Sequence, residues 1–356
     1  MGVTIIAEAG VNHDGKLEQA LALVDAAAAA GADVVKFQTF RAAEIAAIDA
    51  PKAEYQKRTT GTGESQFEML RRLELPEEAH HVLRCRCIEQ GIEFLSTPFD
   101  LPSLRFLTRD LGLPRLKLPS GEVTNAPLLH AAAATGIPII LSTGMCTLTD
   151  VEAALGVLAH GYLGWNDPSP AAFAAAFSTA EGQAALVANV TLLHCTTEYP
   201  APPAEINLRA MSTLSRTFGL AVGFSDHTEG IEAAVAATAL GAVVIEKHMT
   251  LDRSLPGPDH KASLEPAMLS QMVRSIRTVE IMLGDAEKRP TAAESRNMVV
   301  ARKSLVAIRA IAAGDFFTEA NLGVKRPGDG LSPARYWDLL GRSACRSYEP
   351  GERIEP

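Results

Sequence analysis

The sequence predicts an α/β protein in which a (β/α)8 TIM barrel is followed by a small β-rich domain. Three observations support this. Eight short β-branched runs alternate with longer Ala-, Leu- and Glu-rich stretches, the pattern changes after residue 284, and short β-type runs follow from residue 299. Strand–helix units in series form a parallel sheet with both faces covered. An open doubly wound sheet is the alternative, but no GxGxxG motif follows the first strand.

The eight predicted strands are short and rich in Val, Ile and Leu. They are Thr4–Glu8, Asp33–Gln38, Glu93–Ser96, Arg115–Leu118, Pro138–Ser142, Val190–His194, Ala221–Ser225 and Val243–His248. The stretches between them have helical composition. Glycine precedes several strands, at positions 31, 91, 112, 136 and 241, where it can end a helix in a left-handed turn.

Two segments are longer than a simple repeat needs. Residues 41–75 predict a long polar loop, and loops of this length are usually functional lids or disordered. Residues 161–188 predict a turn and one extra helix, to which no role can be assigned.

The domain boundaries follow from the change in pattern. We expect a catalytic barrel at residues 1–284, a charged, loop-like linker at 285–298 and a β-rich domain at 299–356. A domain of about 60 residues lies near the lower size limit for independent folding. We therefore expect it to pack on the barrel or on a second subunit.

Composition and charge exclude several classes of protein. The formal charge is -9, from 33 basic and 42 acidic residues, whereas a nucleic-acid binder needs a basic face. The five cysteines form no CxxC motif, which favours a reducing cytoplasm. The start of the chain lacks a basic signal-peptide region and no apolar run reaches 18 residues, so neither secretion nor a membrane span is expected.

Polar residues recur where the predicted strands end. They include Glu8, Lys36, Gln38, Thr97, Lys117, Ser142, His194, His227 and His248. The carboxyl ends of barrel strands meet at one mouth, which is where the active sites of such enzymes lie. This clustering predicts an enzyme.

Two histidines end successive strands and could bind a metal ion together. His227 and His248 stand beside the carboxylates of Asp226 and Glu246. Histidine is the commonest metal ligand, and two imidazoles with a carboxylate and water suit a divalent ion in an open site. The alternative is that each imidazole only forms a hydrogen bond inside the barrel.

Two lysines at the same mouth predict a bound anion. Lys36 and Lys117 end strands, and lysine is rarely buried without a partner. Segments 120–122 and 142–144 add hydroxyl and N–H groups that suit phosphate oxygens. Two alternatives stay open: salt bridges to Glu8 and Glu122, and a lysine that forms a Schiff base. Glu8 itself could ligate a metal or act as a general acid or base.

Nine motifs together resemble the sialic acid synthase family. They are AEAGVNHDG at 7–15, VKFQT at 35–39, STPF at 96–99, KLPSGE at 117–122, LSTGM at 141–145, HCTTEYP at 194–200, SDHT at 225–228, EKH at 246–248 and GPD at 257–259. The tail, with VKRPGDG at 324–330, resembles the antifreeze-like (SAF) domain of that family. The motifs span nearly the whole chain in the same order.

The resemblance implies a role for each site residue. The metal, Mn²⁺ or alternatively Mg²⁺ or Co²⁺, would be held by His227 and His248. Phosphoenolpyruvate would be bound by Lys36, Thr97, Lys117, Ser120, Ser142 and Ser225. The acceptor sugar would be contacted by Glu8, Gln38, Phe99, Thr197, Tyr199 and Asp259. Glu122 would transfer a proton near the enol carbon, Glu8 would be the second catalytic carboxylate, and Arg326 would reach the active site of the partner in a domain-swapped homodimer.

The implied reaction joins C3 of phosphoenolpyruvate to the aldehyde of an N-acylated mannosamine-type sugar. The metal polarises the aldehyde, water adds at C2, and C–O cleavage releases phosphate and a nine-carbon 2-keto acid. The acceptor stays open between N-acetylmannosamine, which gives N-acetylneuraminate, and 2,4-diacetamido-2,4,6-trideoxymannose, which gives N,N'-diacetyllegionaminate. Thr197 and segment 257–263 look closer to the legionaminic acid branch.

Two other functions remain open from the residues alone. A buried lysine could serve a Schiff-base pyruvate aldolase, which borohydride trapping would reveal. The tail also suggests a non-enzymatic sugar- or ice-binding protein. The polar barrel mouth argues against the latter, because a pure binder would not need two histidines and two lysines there.

Overall fold

The computed structural model describes residues 2–355, apart from the side chains at positions 55 and 58. The chain divides into two compact units, Met1–Gly284 and Asp285–Pro356. Among the described residues, none of the helices combines the length and the hydropathy that a transmembrane span requires.

Eight parallel strands form the centre of the first unit. They are β1 (Thr4–Gly10), β2 (Val34–Thr39), β3 (Glu93–Pro98), β4 (Leu116–Leu118), β5 (Ile139–Ser142), β6 (Val190–Cys195), β7 (Ala221–Asp226) and β8 (Val244–His248). They pair in the order β3-β2-β1-β8-β7-β6-β5-β4, and the end strands β3 and β4 lie side by side. The predicted barrel is confirmed, because an open sheet would leave its two edge strands far apart.

Helices follow the strands and cover the outside of the barrel. Within residues 2–284 they are α1 (Leu17–Ala30), α2 (Ala42–Ile45), α3 (Glu54–Thr60), α4 (Gln66–Leu73), α5 (Glu77–Gln90), α6 (Leu101–Arg105), α7 (Ala126–Ala133), α8 (Leu148–Leu163), α9 (Pro170–Ser178), α10 (Ala180–Asn189), α11 (Ala210–Phe218), α12 (Glu232–Ala239) and α13 (Pro266–Leu283). As predicted from its position, Gly31 ends α1 with a φ of 85°, a conformation that glycine adopts without steric cost.

The barrel core has an inner and an outer layer, because successive side chains of a strand point to opposite sides. The outer layer packs strands against helices. The inner layer is a small apolar cluster to which six strands contribute one residue each: Ile6, Val34, Leu95, Ile140, Leu193 and Val244. This inner layer fills the barrel below the strand ends.

The segment between β2 and α5 is folded, and the prediction of a long loop was wrong. Three short helices, α2 to α4, occupy it. Ser65 begins α4 with a capping box: its hydroxyl accepts from Glu68 N at 3.2 Å, and its own N–H donates to Glu68 Oε2 at 2.8 Å. The Ser-x-x-Glu spacing ahead of apolar residues carried this signal in the sequence.

The segment 161–188 contains two helices after the end of α8, where one was predicted. Both α9 and α10 are capped by hydroxyls: Ser169 accepts from Ala172 N at 3.2 Å, and Thr179 accepts from Gly182 N at 3.0 Å. Thr179 ends the first helix and begins the second. Because of this single-residue junction, the Ala-rich stretch looks continuous in sequence.

The second unit is small and has its own core. It contains α14 (Ala292–Ala301), the antiparallel strands β9 (Ser304–Ala307) and β10 (Leu322–Lys325), and α15 (Tyr336–Leu339). Its core side chains include Leu305, Phe317, Leu322 and Tyr348. The expected loop-like character of 285–298 is wrong from residue 292 onward, because Thr291 forms a capping box with Glu294 and begins a helix.

Candidate active site

One cavity of about 440 Å³ lies at the carboxyl ends of the barrel strands. It is lined by every residue of the first unit to which the family resemblance assigns a role: Glu8, Lys36, Gln38, Thr97, Phe99, Lys117, Ser120, Glu122, Ser142, Thr197, Tyr199, Ser225, His227, His248 and Asp259. Side chains that are remote in sequence therefore share one cavity.

The two-residue period of the strands explains why these side chains meet. In β1, Glu8 lies two residues beyond Ile6 of the inner apolar layer, and in β2 Lys36 lies two residues beyond Val34. The same step leads from Leu95 to Thr97, from Ile140 to Ser142 and from Val244 to Glu246. Each of these five strands thus places an apolar residue in the barrel and a polar one above it.

A cluster of charged and hydroxyl groups, here called the polar floor, lies at the base of the cavity. It consists of Glu8, Lys36, Lys117, Ser225 and Glu246, all buried. Lys36 Nζ lies 2.6 Å from Glu8 Oε2 and 3.7 Å from Glu246 Oε2. Lys117 Nζ lies 3.5 Å from Glu246 Oε1, which accepts a hydrogen bond from Ser225 Oγ at 2.9 Å. The floor thus contains two amines and two carboxyl groups close together.

The pairing in the polar floor shifts its pKa values in different directions. Burial alone would raise the pKa of Glu246, but the ammonium groups of Lys117 and Lys36 outweigh it and hold that pKa at about 2. Burial opposes the charged form of Lys36, yet the carboxylates of Glu246 and Glu8 raise its pKa. Burial lowers the pKa of Lys117 and raises that of Glu8 to about 7 against the opposing charge of Lys36.

Glu246 is the floor residue that sequence reasoning underestimated. It was considered only as a carboxylate beside the histidines, and it contacts both lysines. The signal was available, because Glu246 lies two residues before His248 and therefore on the same face of β8. Of the two salt-bridge alternatives, that to Glu8 is present, whereas Glu122 accepts a hydrogen bond from Asn125 Nδ2 at 2.6 Å.

Two buried hydroxyl groups on the cavity wall have no hydrogen-bond partner among the described residues. They belong to Ser142 and Thr197. Gly144 lies next to them, and a Cβ there would come within 2.5 Å of Thr197 Oγ1 and 3.1 Å of Ser120 Oγ. Only glycine fits this close approach. Ser142 and Thr197 therefore present hydroxyl groups to which a polar ligand can form hydrogen bonds.

The imidazoles of His227 and His248 adjoin each other, with ring centroids 5.3 Å apart. His227 Nδ1 lies 2.6 Å from the carbonyl oxygen of Thr196. A carbonyl only accepts, so Nδ1 carries the proton and Nε2 keeps its lone pair. His248 Nδ1 is buried without a hydrogen-bond partner in the described chain. Burial lowers the pKa of His227 to about 4 and that of His248 well below its usual value, so both rings are neutral, as metal binding requires.

These two histidines fit a divalent metal only as part of an open site. Within residues 2–355, no group of three or more His, Cys, Asp and Glu side chains is arranged as a metal centre. A backbone carbonyl orients His227, as is usual for metal-ligating histidines. Two neutral imidazoles would leave the remaining positions to water and substrate, which suits a catalytic metal better than a structural one.

Asp226, a possible metal neighbour in the sequence analysis, points away from the cavity. Its Oδ2 lies 2.9 Å from Lys247 Nζ, and both side chains are fully buried. Lys247 also donates to Thr228 O at 2.6 Å. Asp226 and Lys247 are direct sequence neighbours of His227 and His248, and alternation along each strand sends them to the opposite face. His194 is likewise absent from the cavity lining and bonds to Ile206 O at 2.7 Å.

Side chains suited to a sugar surround the imidazoles. The Tyr199 ring lies 4.2 Å from that of His227, measured between centroids. Asp259 Oδ2 lies 3.8 Å from His248 Nδ1, and burial raises the pKa of Asp259 to about 6. Gln38 Nε2 donates to Glu8 Oε1 at 3.2 Å. The Tyr199 ring and a carboxyl group thus lie beside the imidazoles, and the amide of Gln38 lies beside Glu8 in the same cavity.

The loop that carries Asp259 is held by a buried amide. Asn12 Nδ2 donates to Met249 O at 2.8 Å and to Ser263 Oγ at 2.9 Å. Ser263 Oγ in turn donates to Asp259 O at 2.7 Å. Asn12, which could have been a simple turn residue, therefore connects the loop after β1 to the loop after β8.

A group of apolar side chains, here called the apolar wall, lines the same cavity and was not predicted. It consists of Val11, Phe40, Ile45, Met69, Leu70 and Leu73. Most of it comes from α2, α4 and the residues that flank them, which the sequence analysis assigned to a loop. Regular alternation along a strand could not reveal it, because these residues belong to short helices.

Arg326 belongs to the second unit, whereas the lining of the cavity comes from the first. Its side chain is exposed, and its Nε donates to Ala301 O at 3.0 Å. The expectation that it reaches the site of a partner subunit remains a prediction.

Comparisons with known proteins define the family. Residues 23–288 match the NeuB family and residues 302–356 match the SAF domain. The chain is 47% identical over 350 residues to N,N'-diacetyllegionaminic acid synthase of Campylobacter jejuni, with 98% of both chains covered. It is 43% identical to the Legionella pneumophila synthase of the same name, covering 98% of this chain and 92% of the relative.

A solved structure supports the same assignment. The crystal structure of N-acetylneuraminic acid (sialic acid) synthetase from Leptospira borgpetersenii matches with a TM-score of 0.67 at 32% identity, over 83% of this chain and 90% of that one. The chain belongs to the NeuB family, is an enzyme, and carries a SAF domain. This sets aside the alternative of a non-enzymatic sugar- or ice-binding protein.

Proposed function

We propose that this enzyme condenses phosphoenolpyruvate with 2,4-diacetamido-2,4,6-trideoxymannose and water, giving N,N'-diacetyllegionaminate and phosphate. The observation that carries the proposal is the meeting of two buried imidazoles and two buried lysines in one cavity. The names of the Campylobacter and Legionella relatives, which this chain matches over 98% of its length, favour this acceptor over N-acetylmannosamine.

Phosphoenolpyruvate binds at the polar floor in this proposal. Lys36 and Lys117 supply positive charge for the phosphate and carboxylate, and the hydroxyl groups of Thr97, Ser120, Ser142 and Ser225 supply further contacts. The hydroxyl of Ser142, which has no hydrogen-bond partner in the described part of the chain, supports this assignment, because a buried hydroxyl is costly unless it is satisfied. Cations held in an enclosed site stabilise phosphate as it leaves.

His227 and His248 hold the divalent metal, for which we propose Mn²⁺, with Mg²⁺ or Co²⁺ as alternatives. When bound, the metal supplies Lewis-acid polarisation of the acceptor aldehyde. Tyr199, Asp259, Gln38, Thr197 and Phe99 contact the acceptor in this assignment. The 4.2 Å separation between the Tyr199 and His227 rings supports an acceptor position next to the imidazoles.

Two carboxyl groups, one as a proton donor and one as a proton acceptor, serve the proposed reaction. C3 of phosphoenolpyruvate forms a bond to the aldehyde carbon, and protonated Glu8 donates its proton to the aldehyde oxygen. Glu122 takes a proton from the water that adds at C2. As the resulting C2 adduct collapses, the C–O bond to phosphate breaks, the C2 hydroxyl becomes the keto group, and its proton passes to the departing phosphate. The raised pKa values of Glu8 and Glu122, caused mainly by burial, suit proton transfer near neutral pH.

The second unit completes the site of a partner in this proposal. Arg326 reaches the active site of the other subunit in a domain-swapped homodimer and bonds the N-acyl oxygen of the sugar. Its exposed guanidinium is consistent with such a role. We place the enzyme in the cytoplasm, since all five cysteines are free.

A Schiff-base pyruvate aldolase is the second candidate. The lowered pKa of buried Lys117 is the observation that favours it, because a neutral amine is the nucleophile in that chemistry. Borohydride treatment with pyruvate distinguishes the two: the synthase gives no stable adduct on Lys117.

Phosphate release from phosphoenolpyruvate tests the proposed function. With Mn²⁺ and the trideoxy acceptor, we expect the wild type to release phosphate and form the nine-carbon product. His227→Ala and His248→Ala each lower turnover by about 1,000-fold or more, since they remove Lewis-acid stabilisation worth several kcal/mol. His81→Ala, on the exposed face of α5, is the matched control. Undiminished turnover in either cavity variant would contradict the metal assignment.

A further inference from the structure

Resting on the proposed function, we infer that the apolar wall selects the acceptor by packing against the methyl groups of its non-reacting end. The wall and the polar floor line one cavity. A substrate whose aldehyde lies at the imidazoles must place its other end elsewhere in that cavity. The wall is the large apolar surface available to receive it.

Phe99 connects the two parts of the cavity. It lies two residues beyond Thr97, whose Oγ1 accepts from Lys36 Nζ at 3.2 Å in the polar floor. The Phe99 ring meets that of Phe40 edge to face, with centroids 6.1 Å apart. One short strand end therefore runs from the proposed phosphate position to the wall, and an acceptor beside Phe99 reaches both.

The chemistry of the wall distinguishes the two candidate acceptors. The trideoxy sugar carries a methyl group at C6 and an acetamido group at C4, where N-acetylmannosamine has hydroxyl groups. Burying a methyl group against Ile45, Leu70 and their neighbours is favourable. Burying a hydroxyl there costs free energy, because apolar side chains offer it no hydrogen bond. Gln66 lines the same cavity and supplies an amide that can pair with the acetamido group.

The wall is preformed, because its side chains belong to a packed core. Met69 and Leu73 are 0% and 1% exposed. One hydrogen bond attaches the segment to the end of β3, since Arg41 N donates to Asp100 Oδ2 at 2.9 Å, and a second joins the two ends of the segment, since Ala42 N donates to Glu74 Oε2 at 3.0 Å. A rigid apolar surface discriminates between methyl and hydroxyl better than one that can move aside.

A buried lysine stabilises the middle of the segment, between α2 and α4. Lys52 is 5% exposed, and its Nζ donates to Thr60 Oγ1 at 2.9 Å and lies 3.5 Å from Glu64 Oε1. Gln66 N donates to Ala50 O at 3.0 Å. These contacts hold the stretch between α2 and α4 in place while Ile45 and Leu70 stay half-buried at the cavity.

Acceptor competition tests this inference with two wall variants and a matched control. Leu70→Asn introduces a polar side chain with the same number of heavy atoms, and Ile45→Thr introduces a β-branched polar side chain that is one carbon shorter. Leu163→Asn makes the same change at a half-buried leucine of α8, outside the cavity. The acceptors are the trideoxy sugar, N-acetylmannosamine and its 6-deoxy analogue. The readouts are kcat and KM for each sugar and KM for phosphoenolpyruvate.

In the wild type we expect kcat/KM to be about tenfold or more higher for the trideoxy sugar than for N-acetylmannosamine. We also expect kcat/KM to be higher for the 6-deoxy analogue than for N-acetylmannosamine itself. Each wall variant lowers that ratio by about tenfold through KM for the trideoxy sugar, and Leu163→Asn leaves it unchanged. The 6-deoxy comparison uses the unaltered protein, so it stands even where a variant does not fold.

The outcomes distinguish a failure of this inference from a failure of the proposed function. Turnover with no preference for methyl-bearing acceptors overturns the inference, and so does equal loss for all acceptors in both wall variants. No phosphate release from the wild type with any acceptor overturns the proposed function itself.

Discussion

The polar floor and the apolar wall line the same cavity but are built by different parts of the chain. The floor takes single residues from strands far apart in sequence, including β1, β2, β4, β7 and β8. The wall, apart from Val11, comes from one continuous stretch between residues 40 and 73. In our proposal, the barrel strands therefore carry the residues of the reaction, and one segment outside the strands determines the choice of acceptor.

The two regions also differ in what they require when no ligand is bound. Buried charges are costly unless paired, and in the floor Lys36 and Glu8 pair at 2.6 Å while Lys117 lies 3.5 Å from Glu246. If phosphoenolpyruvate binds at the polar floor as proposed, it must replace part of this pairing. The wall needs no partner. A change in the floor should therefore affect every acceptor alike, whereas a change in the wall should alter the preference among them.

Among changes that distinguish the polar floor from the apolar wall, Glu8→Gln should have the largest effect on kcat/KM. Loss of the proton donor lowers kcat/KM by about 100- to 10,000-fold, and equally for both acceptors, since the aldehyde is common to them. The pKa of Glu8 is raised to about 7 by burial. Its donating form is present below that pH and is lost above it. Wild-type kcat/KM therefore falls as pH rises through about 7, as steady-state phosphate release will show.

The control for this prediction is Glu152→Gln, an exposed carboxyl on α8. It should keep both the rate and the pH profile of the wild type. In Glu8→Gln the falling limb near pH 7 should disappear, because an amide does not titrate. Persistence of that limb in the variant would remove Glu8 from the role of acid.

The smallest expected effect concerns the mobility of the wall. If the wall is a packed part of the fold, backbone amides of α4 are protected from hydrogen exchange in the free enzyme to an extent comparable with α5. Addition of phosphoenolpyruvate then changes their exchange rates by less than about tenfold. A disordered loop that becomes ordered on binding would show a much larger change in exchange rate. Mass spectrometry of peptides covering 66–73 and 77–90 measures both. Rapid exchange of α4 that slows strongly with ligand would instead indicate a closing lid.

The floor was largely predictable from sequence because strands have a simple period. Once Val244 is placed inside the barrel, Glu246 and His248 must follow on the same face, and Lys247 must face outward. The eight strands were identified by their β-branched composition, and the glycine at position 31 marked the end of a helix as predicted. Asp226 does not line the cavity, although it precedes His227 in sequence, because it faces the opposite side of the strand and pairs with Lys247.

The wall was not predictable from the same reasoning. Its helices are short, and their side chains meet through tertiary packing, as when Phe40 contacts Phe99. The Ser-x-x-Glu spacing at residue 65 is typical of a helix start, although a loop was predicted there, and no local pattern shows which face of that helix meets the cavity. Arg326 of the second unit is a similar case, because its proposed role comes from the family resemblance and no strand or helix period relates it to an active site.

The most direct test of the account is anomalous diffraction at the manganese edge from crystals soaked with Mn²⁺. We predict a peak in contact with the imidazoles of both His227 and His248, above the polar floor. A manganese peak elsewhere in the chain, or none at these two histidines at saturating Mn²⁺, would contradict it.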